Sequence, residues 1–180
     1  MKWLIASDIH GSSYYCERLL NAYRLEKADR LLLLGDILYH GPRNDLPEKY
    51  APKSVISMLN ELKDEIMCVR GNCDTEVDQM VLEFPIMADY ALISEKDRMI
   101  FATHGHHFNL SSLPPLKKGD ILLHGHTHIS ACDTSGDVIY LNPGSVSIPK
   151  GGTPNGYMTF ENGVFLWKDL STEKYMELAL

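Results

Sequence analysis

Several common features are scarce or missing in this 180-residue chain, and each absence narrows what it can do. No apolar run approaches the roughly 20 residues needed to cross a bilayer, so no membrane partner is expected. The opening Met1-Lys2-Trp3-Leu4-Ile5-Ala6-Ser7 is too short for a secretory leader, because charge enters at Asp8. There is no cluster of Lys or Arg, and the formal charge is -7, so no stable nucleic-acid binding is expected. Cysteine is sparse: Cys16, Cys68, Cys73 and Cys132 show no zinc-type pairing, and a reduced cytoplasm fits them best. Repeats and low-complexity tracts are missing too. With 44% apolar and 23% charged residues the chain reads as one domain, 1–180, with a real core.

What is present is a rhythm of strands that end on chelating residues. Lys2 to Ser7 is an apolar run closed by Asp8-Ile9-His10-Gly11, as expected of a buried parallel strand that delivers polar side chains to a loop. A helix follows, because Cys16, Leu19, Leu20 and Tyr23 recur at amphipathic spacing. Leu31 to Leu34 is a second strand, closed by Gly35-Asp36. Tyr39 to Pro52 is a broken, polar loop near the site, with His40-Gly41-Pro42-Arg43-Asn44 at its start. Pro52 opens a second helix striped by Val55, Met58, Leu59 and Leu62, and a third strand, Ile66 to Val69, ends in Arg70-Gly71-Asn72-Cys73-Asp74. Open α/β sheets place their ligands at such strand ends.

The pattern then changes. Tyr90 to Ser94 and Met99 to Thr103 read as strands around a charged turn, the second running into His104-Gly105-His106-His107. Ile121 to Leu123 leads into His124-Gly125-His126-Thr127-His128. Ser135-Gly136-Asp137 and Asn162-Gly163 read as hairpin turns, so the C-terminal half is expected to form a largely antiparallel second sheet. The predicted fold class is α/β, a four-layer α-β-β-α sandwich of two packed mixed sheets flanked by helices.

The strand ends collect Asp8, His10, Asp36, Asn72, His104, His126 and His128. A lone histidine is usually a surface or core residue, but six of the eight histidines fall between His104 and His128. Nitrogen and oxygen donors without a thiolate point to a hard or borderline divalent metal, with manganese favoured and zinc or iron possible. Seven donors exceed one tetrahedral ion. If Asp36 bridges, they divide into two sets of four, the ligand count of a two-metal phosphoesterase.

Asp8-x-His10, Gly35-Asp36, Gly71-Asn72, His104 and Gly125-His126-x-His128, in this order and after strands, resemble the signature of the calcineurin-like metallophosphoesterases. Gly41-Pro42-Arg43-Asn44, Gly71-Asn72-Cys73-Asp74 and Asn142-Pro143-Gly144-Ser145 resemble its small bacterial YfcE-type phosphodiesterases. The resemblance implies two divalent metal ions, one on Asp8, His10 and His128, the other on Asn72, His104 and His126, with Asp36 between them. Ions roughly 3.5 to 4 Å apart would acidify a bridging water and clamp a phosphate for in-line attack. It also implies a small phosphodiester substrate, homo-oligomers, and catalytic roles for Asp36 and Asn72.

One position departs from the pattern: many members carry His after the Gly-Asn pair, where this chain has Cys73, a doubtful general acid. His106 is an alternative, and Arg43 is a candidate for phosphate binding. His107 and His124 divide between supporting and structural roles, and His40 reads as a loop residue. Gly71 and Gly125 read as backbone requirements beside the ions. Asn142 or Ser145 could orient a ligand from behind. A phosphomonoesterase is the enzymatic rival, and a protein-binding scaffold like the retromer subunit that shares the fold is the other. All seven ligand positions hold competent residues, which favours an enzyme.

Overall fold

Strand β1 (Trp3–Ala6) is buried on both faces, and the layering follows from that. In the computed structural model, which describes residues 1–180, Leu4 and Ala6 point to one apolar cluster and Ile5 to another, as the alternation of a strand requires. β2 (Arg30–Leu33) and β3 (Ile66–Cys68) lie parallel to β1; β2 repeats the division, with Leu31 and Leu33 on the first side and Leu32 on the second, while β3 puts Ile66 and Cys68 on the first side and leaves Met67 exposed. Strands covered on both sides have no polar face to show, which explains their continuous apolar runs.

The first side is closed by α1 (Ser13–Glu26) and α2 (Pro52–Asn60). The Ser12 hydroxyl accepts from the Tyr15 amide at 3.2 Å to cap α1, and Lys27, at φ 52°, ends it in the left-handed conformation. α2 stops two residues before Leu62, where turns lead into β3. A one-turn helix, α3 (Glu76–Gln79), follows the third strand and has no buried residue to signal it.

The second sheet contains β4 (Tyr90–Glu95), β5 (Arg98–Thr103), β6 (Ile121–His124), β7 (Ser130–Asp133) and β8 (Ile139–Pro143), in the order β4-β5-β6-β8-β7. Both sheets are mixed, as expected. The second is not largely antiparallel, however: β5, β6 and β8 run parallel, and only its two edge pairs are antiparallel. The C-terminal meander β9 (Gly156–Glu161), β10 (Val164–Asp169) and β11 (Lys174–Ala179) joins the first sheet instead, with β9 antiparallel to β1. The hairpin turns were locally legible, but the free edge of β1 that captures β9 is a long-range partner.

Between the sheets lie Ile100, Ala102, Ile121, Leu123, Leu141, Met158, Phe160, Phe165 and Trp167. The Trp167 indole N–H donates to the Asn142 carbonyl at 2.7 Å, one bond from β10 to β8 across the two sheets. The helices flank the first sheet. On the outer face of the second, Phe101, Leu122 and Tyr140 are packed by Phe108 and Leu116 from the segment 105–120, so that layer is loop rather than helix. No helix is long and apolar enough to cross a membrane.

Glu26, at the end of α1, accepts from Lys2 Nζ at 2.7 Å, Lys168 Nζ at 2.6 Å and the Tyr157 hydroxyl at 2.9 Å. Burial raises its pKa, but these three donors hold it below the usual carboxylate range. A depressed carboxyl stabilises the fold above its unfolded pKa, and that contribution disappears as pH falls through the folded value. Glu26→Gln is expected to cost about 1–3 kcal/mol at pH 7 by urea unfolding. The gap between variant and wild type starts to close as pH falls past the unfolded carboxyl value of about 4.3 and is gone once pH is below the depressed folded value.

Candidate metal centre

Because β1, β2 and β3 are parallel, their C-terminal ends release Asp8, His10, Asp36 and Asn72 at one edge of the first sheet. The parallel β5 and β6 release His104, His126 and His128 from the second. These seven residues, far apart in sequence, converge. Asp8 Oδ1 lies 3.3 Å from His128 Nε2 and 3.6 Å from His10 Nε2. His10 Nε2 and His128 Nε2 are 3.3 Å apart. On the other side, His104 Nε2 is 3.1 Å from both Asn72 Oδ1 and His126 Nδ1. Asp36 Oδ2 stands between, 3.6 Å from His10 Nε2 and 3.4 Å from His104 Nε2.

The histidines are held from behind. The Nδ1–H groups of His10, His104 and His128 have backbone carbonyls within reach, those of Tyr39 at 2.7 Å, Leu34 at 2.7 Å and Ile148 at 2.9 Å. Donation there fixes the tautomer and leaves each Nε2 lone pair facing the cluster. Asp8 Oδ2 accepts from the His126 amide at 3.0 Å, while buried Asp8 Oδ1 has no hydrogen-bond partner at all. An orphaned carboxylate oxygen among facing nitrogen lone pairs is a donor set that fits divalent cations. Three-residue groups with this capacity are Asp8-His10-His128, Asp8-Asp36-His104 and His10-Asp36-Cys73.

The electrostatics agree. Burial opposes charge on Asp8, yet His10, His128 and His104 hold its carboxyl well below the ordinary range, and His104 does the same for Asp36. Against its own burial, His104 is pushed up to about 9 by Asp36 and Asp8, so a proton and a metal cation would compete for its Nε2. The cluster thus draws positive charge to itself.

The backbone bends sharply to bring these groups together. Asp8, His10, Asp36, His126 and His128 have φ between 50° and 65°, five of the seven convergent residues in the left-handed region. Each such residue carries strain on the order of 1–3 kcal/mol. At Gly71 a side-chain carbon would collide with the Asp36 carboxylate and amide, and at Gly125 with the Ser7 hydroxyl and Asp8 Oδ2. Both glycines are therefore required by close approach.

Asp74 does what its place in the sequence did not announce. Buried at 1% exposure, its carboxylate accepts from the amides of Asp36 at 2.8 Å, Ile37 at 2.9 Å and Gly71 at 2.7 Å, tying the loops after β2 and β3. Burial, assisted by the Asp36 charge, pushes its carboxyl up in spite of those donors. Behind the second sheet, Asn142 Nδ2 lies 2.9 Å from the Gly125 carbonyl and 3.0 Å from Thr127 Oγ1, gripping the loop that carries His126 and His128. The Ser145 and Ser147 hydroxyls donate to the Asp8 carbonyl at 2.8 and 3.0 Å.

A cleft of about 390 Å³ opens over the cluster, lined by Asp36, Asn72, Cys73, His126 and His128 together with Arg43 and Lys150. Arg43, the candidate for phosphate binding, is thus part of the cleft lining. Lys150 was missed, for an exposed lysine before two glycines carries no local signal. The Cys73 amide donates to Asp36 Oδ1 at 2.8 Å, and burial and the Asp36 charge push its thiol up. His106 is elsewhere: its ring centroid is 5.4 Å from that of His104, and it lines a second cleft with His124, His126 and Thr127. Burial, with His104, His107 and His126 nearby, lowers it to about 4. His124 is buried against Tyr140 with ring centroids 4.7 Å apart, and His40 packs edge-on to Tyr39 and Tyr50 outside the cluster.

Two mixed sheets with an Asp/His cluster where their strand ends meet define a metallophosphoesterase. Residues 1–163 match the family model for the calcineurin-like phosphoesterase superfamily domain, and the chain belongs to that family. It is similar to phosphodiesterase YfcE of Escherichia coli strain K12, with 49% identity over 164 residues, 91% of this chain and 89% of that one. A solved structure of YfcE, described as a phosphoesterase from E. coli, superposes with a TM-score of 0.95 at 46% identity, covering 99% of each chain. Vacuolar Protein Sorting 29 from Cryptosporidium parvum shares the fold, with a TM-score of 0.63 at 16% identity over 99% of this chain and 98% of that one.

Manganese at about a hundredfold excess over its Kd is expected to stabilise the protein by about 2.7 kcal/mol, raising Tm by roughly 5–10 °C. A thermal scan with no shift for manganese, zinc or iron(II) would refute a metal centre. Asp74→Ala, which strands buried amides, should cost about 3 kcal/mol in denaturant unfolding.

Proposed function

We propose that the single domain 1–180 is a metal-dependent phosphodiesterase with two divalent ions, manganese favoured over zinc or iron. The observation that carries this reading is the position of Asp36 Oδ2, 3.6 Å from His10 Nε2 and 3.4 Å from His104 Nε2. The Asp36 carboxylate thus lies within 3.6 Å of a nitrogen from each proposed donor set, Asp8, His10 and His128 on one side, Asn72, His104 and His126 on the other, which supports a bridging role. Bound divalent cations supply Lewis-acid charge, neutralising phosphate oxygens and lowering the pKa of water.

The chain's own residues do the rest. Backbone carbonyls behind His10, His104 and His128 keep those rings in one tautomer, so no reorganisation is needed when substrate arrives. Arg43 and Lys150 bring positive side chains to the cleft, offsetting phosphate charge and the charge that grows on a leaving oxygen. The Cys73 amide holds Asp36 Oδ1 and so directs Oδ2 to the shared position. The Cys73 thiol stands at the cleft wall where many relatives in the family carry His, which supports a preference for leaving groups that need no proton. His106, neutral and outside the cationic cleft, is better suited to receiving substrate than to giving it a proton.

Bis(4-nitrophenyl) phosphate and 4-nitrophenyl phosphate, each with manganese, zinc or chelator, test the reading. The diester is expected to turn over faster, and chelator to abolish turnover. Activity that survives chelation refutes metal dependence; faster monoester hydrolysis makes the protein a phosphomonoesterase. Bound metal with no turnover of either ester favours a protein-binding scaffold.

Asp36→Asn should lower the content of both ions and reduce turnover roughly a hundredfold or more, as read by metal analysis beside kinetics. Full two-ion content in that variant would show that another residue is shared. Cys73→His should raise kcat on alkyl esters roughly tenfold or more while leaving nitrophenyl esters nearly unchanged. Equal effects on both ester classes would remove the role given to Cys73.

A further inference from the structure

Two clefts meet at the metal cluster, and they differ in chemistry. The second, of about 370 Å³, lies across His126 and Thr127, the two residues that line both. The first cleft has Arg43, Lys150 and Asp36 in its lining; the second has no Asp, Glu, Lys or Arg. Its wall is a preformed turn. Asn109 Nδ2 donates to the Gly105 carbonyl at 3.0 Å, and Asn109 Oδ1 accepts from the amides of Ser111 at 2.8 Å and Ser112 at 3.1 Å.

That turn presents Leu110, 51% exposed, at the cleft. A leucine held half-exposed on a turn braced by Asn109 contributes nothing to the core. The ring of Tyr140 forms another part of the lining, and His106 adds a buried Nδ1 without a hydrogen-bond partner. An exposed leucine and an aromatic ring among uncharged polar groups suit a small uncharged substituent.

We infer that the second cleft receives the spectator arm of a phosphodiester, the ester substituent that stays on phosphorus, and that this arm is planar, aromatic and uncharged. The inference rests on the phosphodiesterase reading and adds a substrate class to it. In hydrolysis the oxygen of water bonds to phosphorus, the P–O bond to the leaving arm breaks, and the leaving oxygen gains a proton. Negative charge grows on that leaving oxygen, so the leaving arm belongs in the cleft that holds Arg43 and Lys150. The spectator arm diverges from the same phosphorus and develops no charge, which suits the uncharged cleft across His126. A volume of about 150 Å³ accommodates a benzene ring, so there is room for a one-ring or two-ring system. A monoester has no arm to place there.

The test holds the leaving group constant. Methyl 4-nitrophenyl phosphate and phenyl 4-nitrophenyl phosphate both release 4-nitrophenolate and differ only in the spectator arm. With the manganese-loaded protein, kcat/KM is expected to favour the phenyl ester roughly tenfold or more, mainly through KM. Leu110→Asp should cut the phenyl-to-methyl ratio roughly tenfold, and Leu110→Phe should keep or raise it. A ratio that is the same in wild type and Leu110→Asp overturns the inference while the phosphodiesterase reading stands. So does a uniform loss on both esters, which would mark Leu110 as merely structural. Failure of the manganese-loaded wild type to hydrolyse either ester defeats the phosphodiesterase reading itself, and the inference with it.

Discussion

Lone pairs of one sign of partial charge do not gather in a protein interior without something positive among them. Here His10 Nε2, His128 Nε2 and Asp8 Oδ1 lie within 3.6 Å of one another, and His104 Nε2 is 3.1 Å from both Asn72 Oδ1 and His126 Nδ1. Three of the histidines have their other ring nitrogen committed to a main-chain carbonyl, so rotation or tautomer exchange cannot relieve the crowding cheaply. Most other features at this end of the molecule serve that convergence. The left-handed residues aim the donors, the two glycines let loops approach, and Asp74 holds two of the loops in register.

The strain is distributed rather than concentrated. Five left-handed residues on three loops would be costly in a flexible surface loop, yet every one of these loops is bonded from beneath. The Asp8 turn is held by Ser145 and Ser147, the Asp36 turn by Asp74, and the His126 to His128 turn by Asn142. Four supporting residues, Ser145, Ser147, Asp74 and Asn142, thus serve five left-handed ones, and none of the four has to touch a substrate.

The convergent residues were legible in the sequence because each block is local: a buried strand, a glycine and a chelating side chain within a few residues. Resemblance to a known signature then ordered the blocks. The apolar runs of β1 and β2 told of burial on both faces for the same reason. What stayed hidden depends on partners distant in the chain. Nothing near Asp74 says that its carboxylate meets the amides of Asp36 and Ile37, and nothing near Gly156 says that its strand will pair with β1 rather than extend the second sheet. Lys150 and Leu110 are exposed, and an exposed residue leaves no periodic trace. Their interest lies in the clefts they border.

Each donor set draws on both sheets. Asp8, His10 and Asp36 of the first sheet meet His128 of the second, and Asp36 and Asn72 meet His104 and His126. The sandwich is therefore joined by hydrocarbon contact around Phe165 and Trp167 through its body, and bound metal would add coordination at the strand tips. Hydrocarbon contact is non-directional and tolerates small sliding, whereas a shared cation fixes angles and spacing. In mechanical terms the molecule resembles a book whose pages adhere along their whole surface but are clasped only at one edge. A cation clasped there would constrain the angle between the sheets where the two clefts open, tying the width of those clefts to the same few convergent atoms.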